Sequence, residues 1–222
     1  MRKLSLSLTL LLCLPILATA QTKPAAQPAA KSAAKAASTP AAALPVLGEG
    51  KSDSPLVIET FTDYQCPPCR QFYLTTLRRV IEEYCNTGKI YLLHHDFPWP
   101  QHAYSHQAAR WAVAAAVIGK FDVVSEQLYT KQDTWAPNGK IEPVVAEVLS
   151  PAELKKLKDV MAAREAEIDA SVNKDQAFGQ EAGVNQTPSI RITYKGTVVA
   201  PLHGGLVSFA ILKHFLDDQL TK

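Results

Sequence analysis

The pattern of apolar residues between 56 and 97 changes twice, from a strand-like run to helical spacing and back to a strand-like run. Residues 56–61 (LVIETF) form an apolar, β-prone run that predicts a buried strand. Residues 71–84 carry apolar side chains at helical spacing, and the Asn-Thr-Gly run at 86–88 ends that helix. Residues 89–97 return to an apolar run that predicts a second buried strand. We therefore predict a βαβ unit, with two parallel strands joined by a right-handed crossover.

A block of helices is predicted between this unit and the last third of the chain. Ser150, Pro151 and Glu153 form the signature of a capping box, which starts one of these helices and leaves open whether it ends near Asp159 or continues. The apolar periodicity predicts the other helices at residues 105–118, 121–130, 144–149 and 164–182.

The chain returns to strands after Gly183. Residues 189–194 alternate between apolar and polar side chains, Lys195-Gly196 predicts a turn, and residues 197–202 predict the hairpin partner. Residues 208–220 predict a closing amphipathic helix. The predicted order is βαβ, a helical block, then ββα, which defines an α/β domain.

The first 20 residues have the pattern of a secretory signal peptide. Arg2 and Lys3 precede a mostly apolar run at residues 4–17, and the small-x-small site at residues 18–20 precedes Gln21. A membrane anchor is the alternative, although the run is shorter than the ~20 residues that span a bilayer. We expect an exported protein of the bacterial periplasm.

Residues 21–44 are predicted to be a disordered tether, and residues 45–222 a single domain. The tether consists almost entirely of Ala, Pro, Lys, Gln, Ser and Thr, which cannot bury a core. Five basic residues and no acid fall in residues 1–44, so the domain keeps 18 basic against 21 acidic residues, a net charge of −3. This balance argues against a nucleic-acid partner.

The chemistry of the chain is indicated by Cys66-Pro67-Pro68-Cys69, at the junction between the first strand and its helix. A helix N-terminus lowers the pKa of a thiol, so Cys66 is placed as a nucleophile, and Cys69, three residues on, as the resolving thiol. We predict thiol–disulfide exchange through a mixed disulfide at Cys66. Cys85 remains, after export, as a buried or half-buried spare thiol, with an intermolecular or regulatory role as the alternative.

Two other interpretations of the cysteine pair stay open. The pair can be half of a zinc site completed by Cys85, His94 or His95, or it can be a static structural disulfide. The sequence has no second Cys-x-x-Cys, and we expect neither a metal nor a cofactor. His102 and His106 are interpreted as polar helix-cap residues rather than a metal pair, and Trp99 as part of the core of the helical block rather than a platform for substrate.

Three segments resemble the DsbA-like exported thiol:disulfide oxidoreductases of the thioredoxin superfamily: residues 59–69, 95–102 and 183–188. The resemblance covers roughly residues 46–220 and implies a thioredoxin fold (βαβ…ββα) with an α-helical insertion at about residues 100–182. It implies that Cys66 is the surface nucleophile and that Cys69 is buried. It further implies that Pro188 is cis and faces the disulfide, and that the backbone of Thr187 pairs with a substrate chain.

The resemblance also marks Glu59 as a buried carboxylate that handles protons, with an ordinary salt-bridged acid as the alternative. Pro67-Pro68 stands where the strong oxidant of the family has Pro-His, which predicts a less oxidising disulfide. Gln186 replaces a glycine that many relatives have, so the loop before Pro188 is bulkier.

We expect a monomer that exchanges disulfides with exported proteins and with a membrane or soluble redox partner. The oxidase direction is favoured. A reductase is the alternative, and an isomerase is disfavoured because the chain offers no folded dimerisation domain. A redox-inert zinc or binding module on the same fold is the alternative from another class.

Overall fold

A mixed five-stranded sheet lies at the centre of the structure, a computed structural model that describes residues 43–222. The strand order is β1-β3-β2-β4-β5; β2 and β3 are parallel, and the other neighbouring pairs are antiparallel. The strands are β1 (Gly48–Gly50), β2 (Leu56–Thr62), β3 (Ile90–Asp96), β4 (Ser189–Tyr194) and β5 (Thr197–Gly204). The predicted signal peptide, and the tether up to residue 42, lie outside the described residues.

The predicted βαβ unit is confirmed. Strands β2 and β3 pair from Leu56↔Ile90 to Thr62↔Asp96. The helix between them, the dithiol helix (residues 67–85), alternates α-helical and π-helical turns. These segments are α1 (Pro67–Phe72), a π segment (Tyr73–Leu77), α2 (Arg78–Val80) and a second π segment (Ile81–Cys85). The apolar spacing predicts this helix but not its wider turns.

Strand β1 was not predicted, because it has only three residues and two of them are glycines. Gly48 pairs with Leu93, and a Cβ atom at Gly48 would lie 2.3 Å from the phenol oxygen of Tyr91. Gly48 therefore leaves room for the Tyr91 ring, a reason for a glycine that hydrophobic patterning does not reveal.

The helical insertion is confirmed. Its helices are α3 (Ser105–Val117), α4 (Phe121–Thr130), α5 (Gln132–Trp135), α6 (Ile141–Ala146), α7 (Pro151–Ala163) and α8 (Glu165–Glu181). The capping box is present, since the Glu153 amide donates to Ser150 Oγ at 3.3 Å and the Ser150 amide donates to Glu153 Oε2 at 2.9 Å. Helix α7 continues past Asp159, and α6 starts three residues before its predicted start at Val144.

The C-terminal ββα segment is also confirmed. Strands β4 and β5 turn at Lys195 and Gly196, which both have positive φ, as a two-residue hairpin turn requires. Helix α9 (Phe209–Leu220) follows, and Ser208 Oγ accepts the amide of Ile211 at 3.4 Å at its start. Within residues 43–222, no helix combines the length and the apolar character needed to cross a bilayer.

The two faces of the sheet carry separate cores. Ile58 packs with Phe72 and Leu77 of the dithiol helix in the larger core. Phe61 of the same strand packs in a smaller core, with Phe178 of α8. Because side chains alternate along a strand, every second residue of β2 faces away from the dithiol helix.

Candidate active site

The two motif cysteines lie at the start of the dithiol helix. Cys66 is the residue before the first helical turn, with φ −78° and ψ 118°, and Pro67 and Pro68 occupy that turn. Proline fits there because the first amides of a helix have no intrahelical partner. Both cysteines are free thiols; Cys66 is 5% exposed and Cys69 is 0% exposed, whereas the two prolines are exposed. Cys66 is thus the outer sulfur of the pair, although most of its surface is covered.

Thr187 and Pro188 are brought to Cys66 from the other end of the chain. The Thr187–Pro188 peptide bond is cis, as the resemblance implied. The protonated Cys66 thiol donates to the carbonyl oxygen of Thr187 at 3.5 Å. The neighbouring Gln186 side chain packs against Gly204 of β5, where a Cβ atom would lie 2.2 Å from Gln186 Nε2. The segment around Pro188 therefore forms one wall of the site.

The surroundings separate the two thiols in acidity. A hydrogen bond from Cys69 lowers the pKa of Cys66 to about 6, and hydrogen bonds from the Thr187 side chain and the Cys69 amide add to this effect. Burial and the charge of Asp63 act in the opposite direction on the Cys66 pKa. Burial raises the pKa of Cys69 well above its ordinary value, and the adjacent Cys66 raises it further. At neutral pH the stable reduced form therefore has a thiolate at Cys66 and a thiol at Cys69.

The helical insertion fixes the loop that leads into the dithiol helix. Gln132 Nε2 donates to the carbonyl oxygens of Tyr64 and Cys66, at 2.6 and 3.1 Å. Gln65 donates to the carbonyl oxygen of Ala136 at 2.9 Å, and its own side-chain oxygen accepts the Tyr104 amide at 2.8 Å. Gln132 of the insertion and Gln65 of the loop thus hold the backbone at Cys66, and residue patterning did not indicate these contacts.

Trp99 lies beside the site and at the edge of the smaller core. Its indole Nε1 donates to Thr187 Oγ1 at 2.9 Å, and its ring packs edge-on against Phe97, with centroids 5.1 Å apart. The interpretation of Trp99 as a core residue describes only part of its role, because the half-buried ring packs against the smaller core and its indole also bonds a site residue. The Pro-Trp-Pro sequence around it falls in residues 95–102, the second segment of the family resemblance.

Glu59 is not brought to the cysteines. It lies on the face of β2 opposite the dithiol helix, where Glu59 Oε2 accepts Arg191 Nε at 2.6 Å and Oε1 lies 3.5 Å from His95 Nε2. Burial alone would raise the pKa of Glu59, but hydrogen bonds from His95 and Arg191 lower it to about 2. This arrangement matches the alternative of a salt-bridged acid, and it supports no direct proton transfer between Glu59 and the dithiol.

The residues considered for a zinc site are separated by other contacts. His94 Nε2 lies 3.0 Å from Glu49 Oε1, and His95 Nδ1 lies 3.2 Å from Asp175 Oδ1. Cys85 is buried at 2% exposure, and burial raises its thiol pKa to about 12. Across residues 43–222, no three or more His, Cys, Asp or Glu side chains are grouped to hold a metal ion.

Comparisons with known proteins agree with this fold. The thioredoxin family model matches residues 45–217, and the chain belongs to that family. A probable disulfide bond formation protein D of Bacillus anthracis is 29% identical over 178 residues, covering 78% of this chain and 77% of the relative.

Solved structures show the same fold. Wolbachia pipientis alpha-DsbA1 superimposes with a TM-score of 0.67 at 15% identity, covering 79% of this chain and 91% of that chain. BdbD from Bacillus subtilis in its oxidised form superimposes with a TM-score of 0.63 at 18% identity, covering 80% and 94%. The βαβ…ββα order with a helical insertion is therefore the DsbA-type thioredoxin fold. The protein is a DsbA-like thiol:disulfide oxidoreductase.

Proposed function

We propose that this oxidoreductase acts as an oxidase, which introduces disulfides into exported proteins in the bacterial periplasm through Cys66 and Cys69. The observation that carries the proposal is the set of hydrogen bonds from Cys69 and Thr187 that stabilise the Cys66 thiolate. Stabilising the reduced form of a dithiol makes the corresponding disulfide more oxidising. The name of the Bacillus anthracis relative, a probable disulfide bond formation protein, agrees with this direction.

The reaction begins with the Cys66–Cys69 disulfide. A substrate thiolate attacks Cys66 Sγ, the Cys66–Cys69 bond breaks, and Cys69 leaves as a thiolate that takes up a proton. A second substrate thiolate then attacks the substrate sulfur of the mixed disulfide, and Cys66 leaves as its stabilised thiolate. The substrate has lost two electrons to the enzyme dithiol, and a membrane or soluble redox partner must remove them to restore the disulfide.

The remaining site residues position these steps. The backbone of Thr187 is proposed to pair with the substrate chain next to the attacked sulfur, with Pro188 covering the dithiol. Pro67 and Pro68 are exposed in the first helical turn, and neither side chain carries a charge. A monomer is sufficient for this chemistry, because both cysteines and Thr187 come from one chain.

A reductase is the second candidate, favoured by the absence of a histidine between the two cysteines. A cation there would stabilise the Cys66 thiolate further, and its absence makes the disulfide less oxidising. The two directions differ in reduction potential, about −120 mV for the strong oxidant DsbA and about −270 mV for the reductant thioredoxin.

The test is to equilibrate the purified protein with a series of glutathione ratios and to measure the fraction of the intramolecular disulfide. We expect a potential closer to that of DsbA, together with oxidative refolding of a reduced, unfolded substrate protein. A potential near that of thioredoxin would instead establish the reductase. Cys66→Ala should abolish exchange, and Cys85→Ala, the matched control, should retain it. Failure to form the disulfide at any ratio, or stoichiometric zinc, would favour the redox-inert binding module.

A further inference from the structure

Asp63, three residues before the nucleophile, is a buried carboxylate with three hydrogen-bond donors. The residue is 1% exposed. Its Oδ1 accepts the Gln65 amide at 2.7 Å, and its Oδ2 accepts the Trp99 amide at 2.8 Å and lies 2.7 Å from His102 Nδ1. The His102 side chain is 23% exposed, so one side of the pair reaches solvent.

These bonds place Asp63 between the two segments that contact the Cys66 sulfur. The carbonyl oxygen of Asp63 accepts the Cys66 amide at 3.1 Å, which ties it to the start of the dithiol helix. Its carboxylate accepts the Trp99 amide, and the Trp99 indole donates to the Thr187 hydroxyl. The Thr187 carbonyl oxygen in turn accepts the Cys66 thiol. The contacts form a closed ring through three parts of the chain, and Asp63 is the member that carries a full negative charge.

The charge of Asp63 acts on only one redox form. Reduction of the disulfide adds two electrons and leaves a thiolate at Cys66 and a proton on Cys69, whereas the oxidised form has no charge on either sulfur. A carboxylate near Cys66 disfavours that thiolate, and a hydrogen-bonding imidazole that offsets the carboxylate favours it. A purely structural contact would stabilise both redox forms equally.

We propose that Asp63 and His102 are a positioning pair that sets the redox equilibrium of the Cys66–Cys69 dithiol. Asp63 holds the loops on either side of the sulfur, and its charge, offset by His102, determines how strongly the disulfide oxidises its substrates. Neither residue touches the reacting atoms in this mechanism. The inference rests on the proposed exchange reaction at Cys66.

The experiment measures the glutathione equilibrium constant of the wild-type protein and of Asp63→Asn, His102→Gln and His106→Gln. His106 is the matched control, because it lies four residues beyond His102, in the first turn of α3, and bonds Asn173 Oδ1 at 3.3 Å instead of Asp63. Asp63→Asn should shift the equilibrium about threefold to tenfold toward the dithiol, and His102→Gln should shift it by a similar factor toward the disulfide. His106→Gln should leave it unchanged. The ultraviolet absorbance of the thiolate against pH should move with each shift.

Two results would overturn the proposal. One is that Asp63→Asn and His102→Gln lower the melting temperature while both equilibrium constants stay at the wild-type value. The other is that both substitutions shift the equilibrium in the same direction. If Asp63→Asn does not fold, the comparison of the His102→Gln equilibrium constant with that of His106→Gln tests the proposal by itself. If the wild-type protein forms no disulfide, the proposed function fails. This outcome differs from a failure of the Asp63–His102 proposal, because it is seen in the wild-type protein without any variant.

Discussion

The sulfur of Cys66 lies 3.5 Å from the carbonyl oxygen of Thr187, although 121 residues separate them in the sequence. The two residues come from the two halves of the fold, one before and one after the helical insertion. The reactive sulfur is therefore positioned by tertiary packing as much as by its own helix. Its chemistry should depend on residues that lie far from the motif in sequence.

The first prediction concerns the acidity of Cys66. Because the pKa of Cys66 is lowered to about 6, alkylation of the reduced protein should reach half its maximal rate near that pH. Because the pKa of Cys66 is lower in the folded state, its thiolate stabilises the reduced fold at pH values above the unfolded pKa, about 8.5. This stability is lost as the pH falls through 6. The measurement is iodoacetamide labelling against pH, followed by mass spectrometry.

Cys66→Ser is the control for this prediction. It should remove the labelling below about pH 8, because Cys69 and Cys85 are buried thiols with raised pKa values. The reduced wild-type protein should also lose stability relative to Cys66→Ser as the pH falls from about 8 to about 5. A half-maximal rate at the ordinary thiol value would contradict the hydrogen bonding described at Cys66.

Much of the fold follows from sequence because its signals are local. Residues 189–194 alternate, and the Ser150–Glu153 capping box is complete in four residues, so both could be predicted without tertiary information. The dithiol was predicted for the same reason. Cys66 and Cys69 lie where a strand gives way to a helix, and that junction is visible in the hydrophobic pattern.

The rest of the site depends on which elements pack together. Alternation along β2 separates Glu59 from Ile58, but the sequence does not say which of these two faces carries the dithiol helix. The same limit applies to Asp63, Trp99 and Thr187, whose contacts arise only when three loops meet. Contacts between residues of separate loops do not produce a hydrophobic periodicity that could be recognised in the sequence.

The second prediction concerns the hydrogen bond between Trp99 and Thr187. Thr187→Val removes the hydroxyl that lowers the pKa of Cys66, so that pKa should rise and exchange at neutral pH should slow. Trp99→Phe removes the donor to the hydroxyl and keeps an aromatic ring beside Phe97, so it should give a smaller change in the same direction. We expect each to cost about 1 kcal/mol of stability. The readouts are thiolate absorbance and the exchange rate with a model peptide.

Thr187→Ser is the matched control, since it keeps the hydroxyl and should keep the wild-type pKa of Cys66. In the double variant, Thr187→Val with Trp99→Phe, the effects should be less than additive, because both changes delete the same bond. Full additivity would show that Trp99 acts independently of Thr187.

The third prediction concerns the ion pairs on the far face of the sheet. Glu59→Gln should destabilise the fold by about 1–3 kcal/mol, because it removes the charged partner of Arg191 and one of the two carboxylates beside His95 in a mostly buried setting. The redox potential should stay unchanged, since β2 separates Glu59 from the dithiol helix. Urea unfolding and the glutathione equilibrium are the two measurements.

The cost of Glu59→Gln should vary with pH in a defined way. The pKa of Glu59 is lowered to about 2, so its contribution is present above its usual value and is lost as the pH falls toward 2. Hydrogen bonds to Asp175 and Glu59 outweigh burial and raise the pKa of His95 to about 9. The stability that protonated His95 contributes is therefore present below the usual histidine pKa and is lost as the pH rises through 9. The difference from wild type should therefore be largest near about pH 5–6. A difference that does not change with pH would contradict this account.

The last prediction concerns Asp96, a buried acid on β3 paired in register with Thr62. Asp96 is 3% exposed, and its Oδ2 has no hydrogen-bond partner among residues 43–222. Burial raises its pKa well above the ordinary value, and the charge of Asp175 raises it further. Because the pKa of Asp96 is raised in the folded state, the protonated carboxyl destabilises the fold little at low pH. The free energy of unfolding falls, relative to a neutral side chain, as the pH rises through the unfolded pKa toward that raised value.

Asp96→Asn should therefore be nearly neutral at about pH 4 and should become stabilising, by about 1–3 kcal/mol, as the pH rises to 7 and above. Asp133→Asn is the surface control, because Asp133 is exposed and its ion pair with Arg70 is solvated, so its effect should stay small at every pH. The measurement is the free energy of unfolding against pH for the three proteins. Parallel curves for wild type and Asp96→Asn would show that Asp96 titrates normally. A widening gap with rising pH would establish that the fold carries a neutral carboxyl at this position on β3.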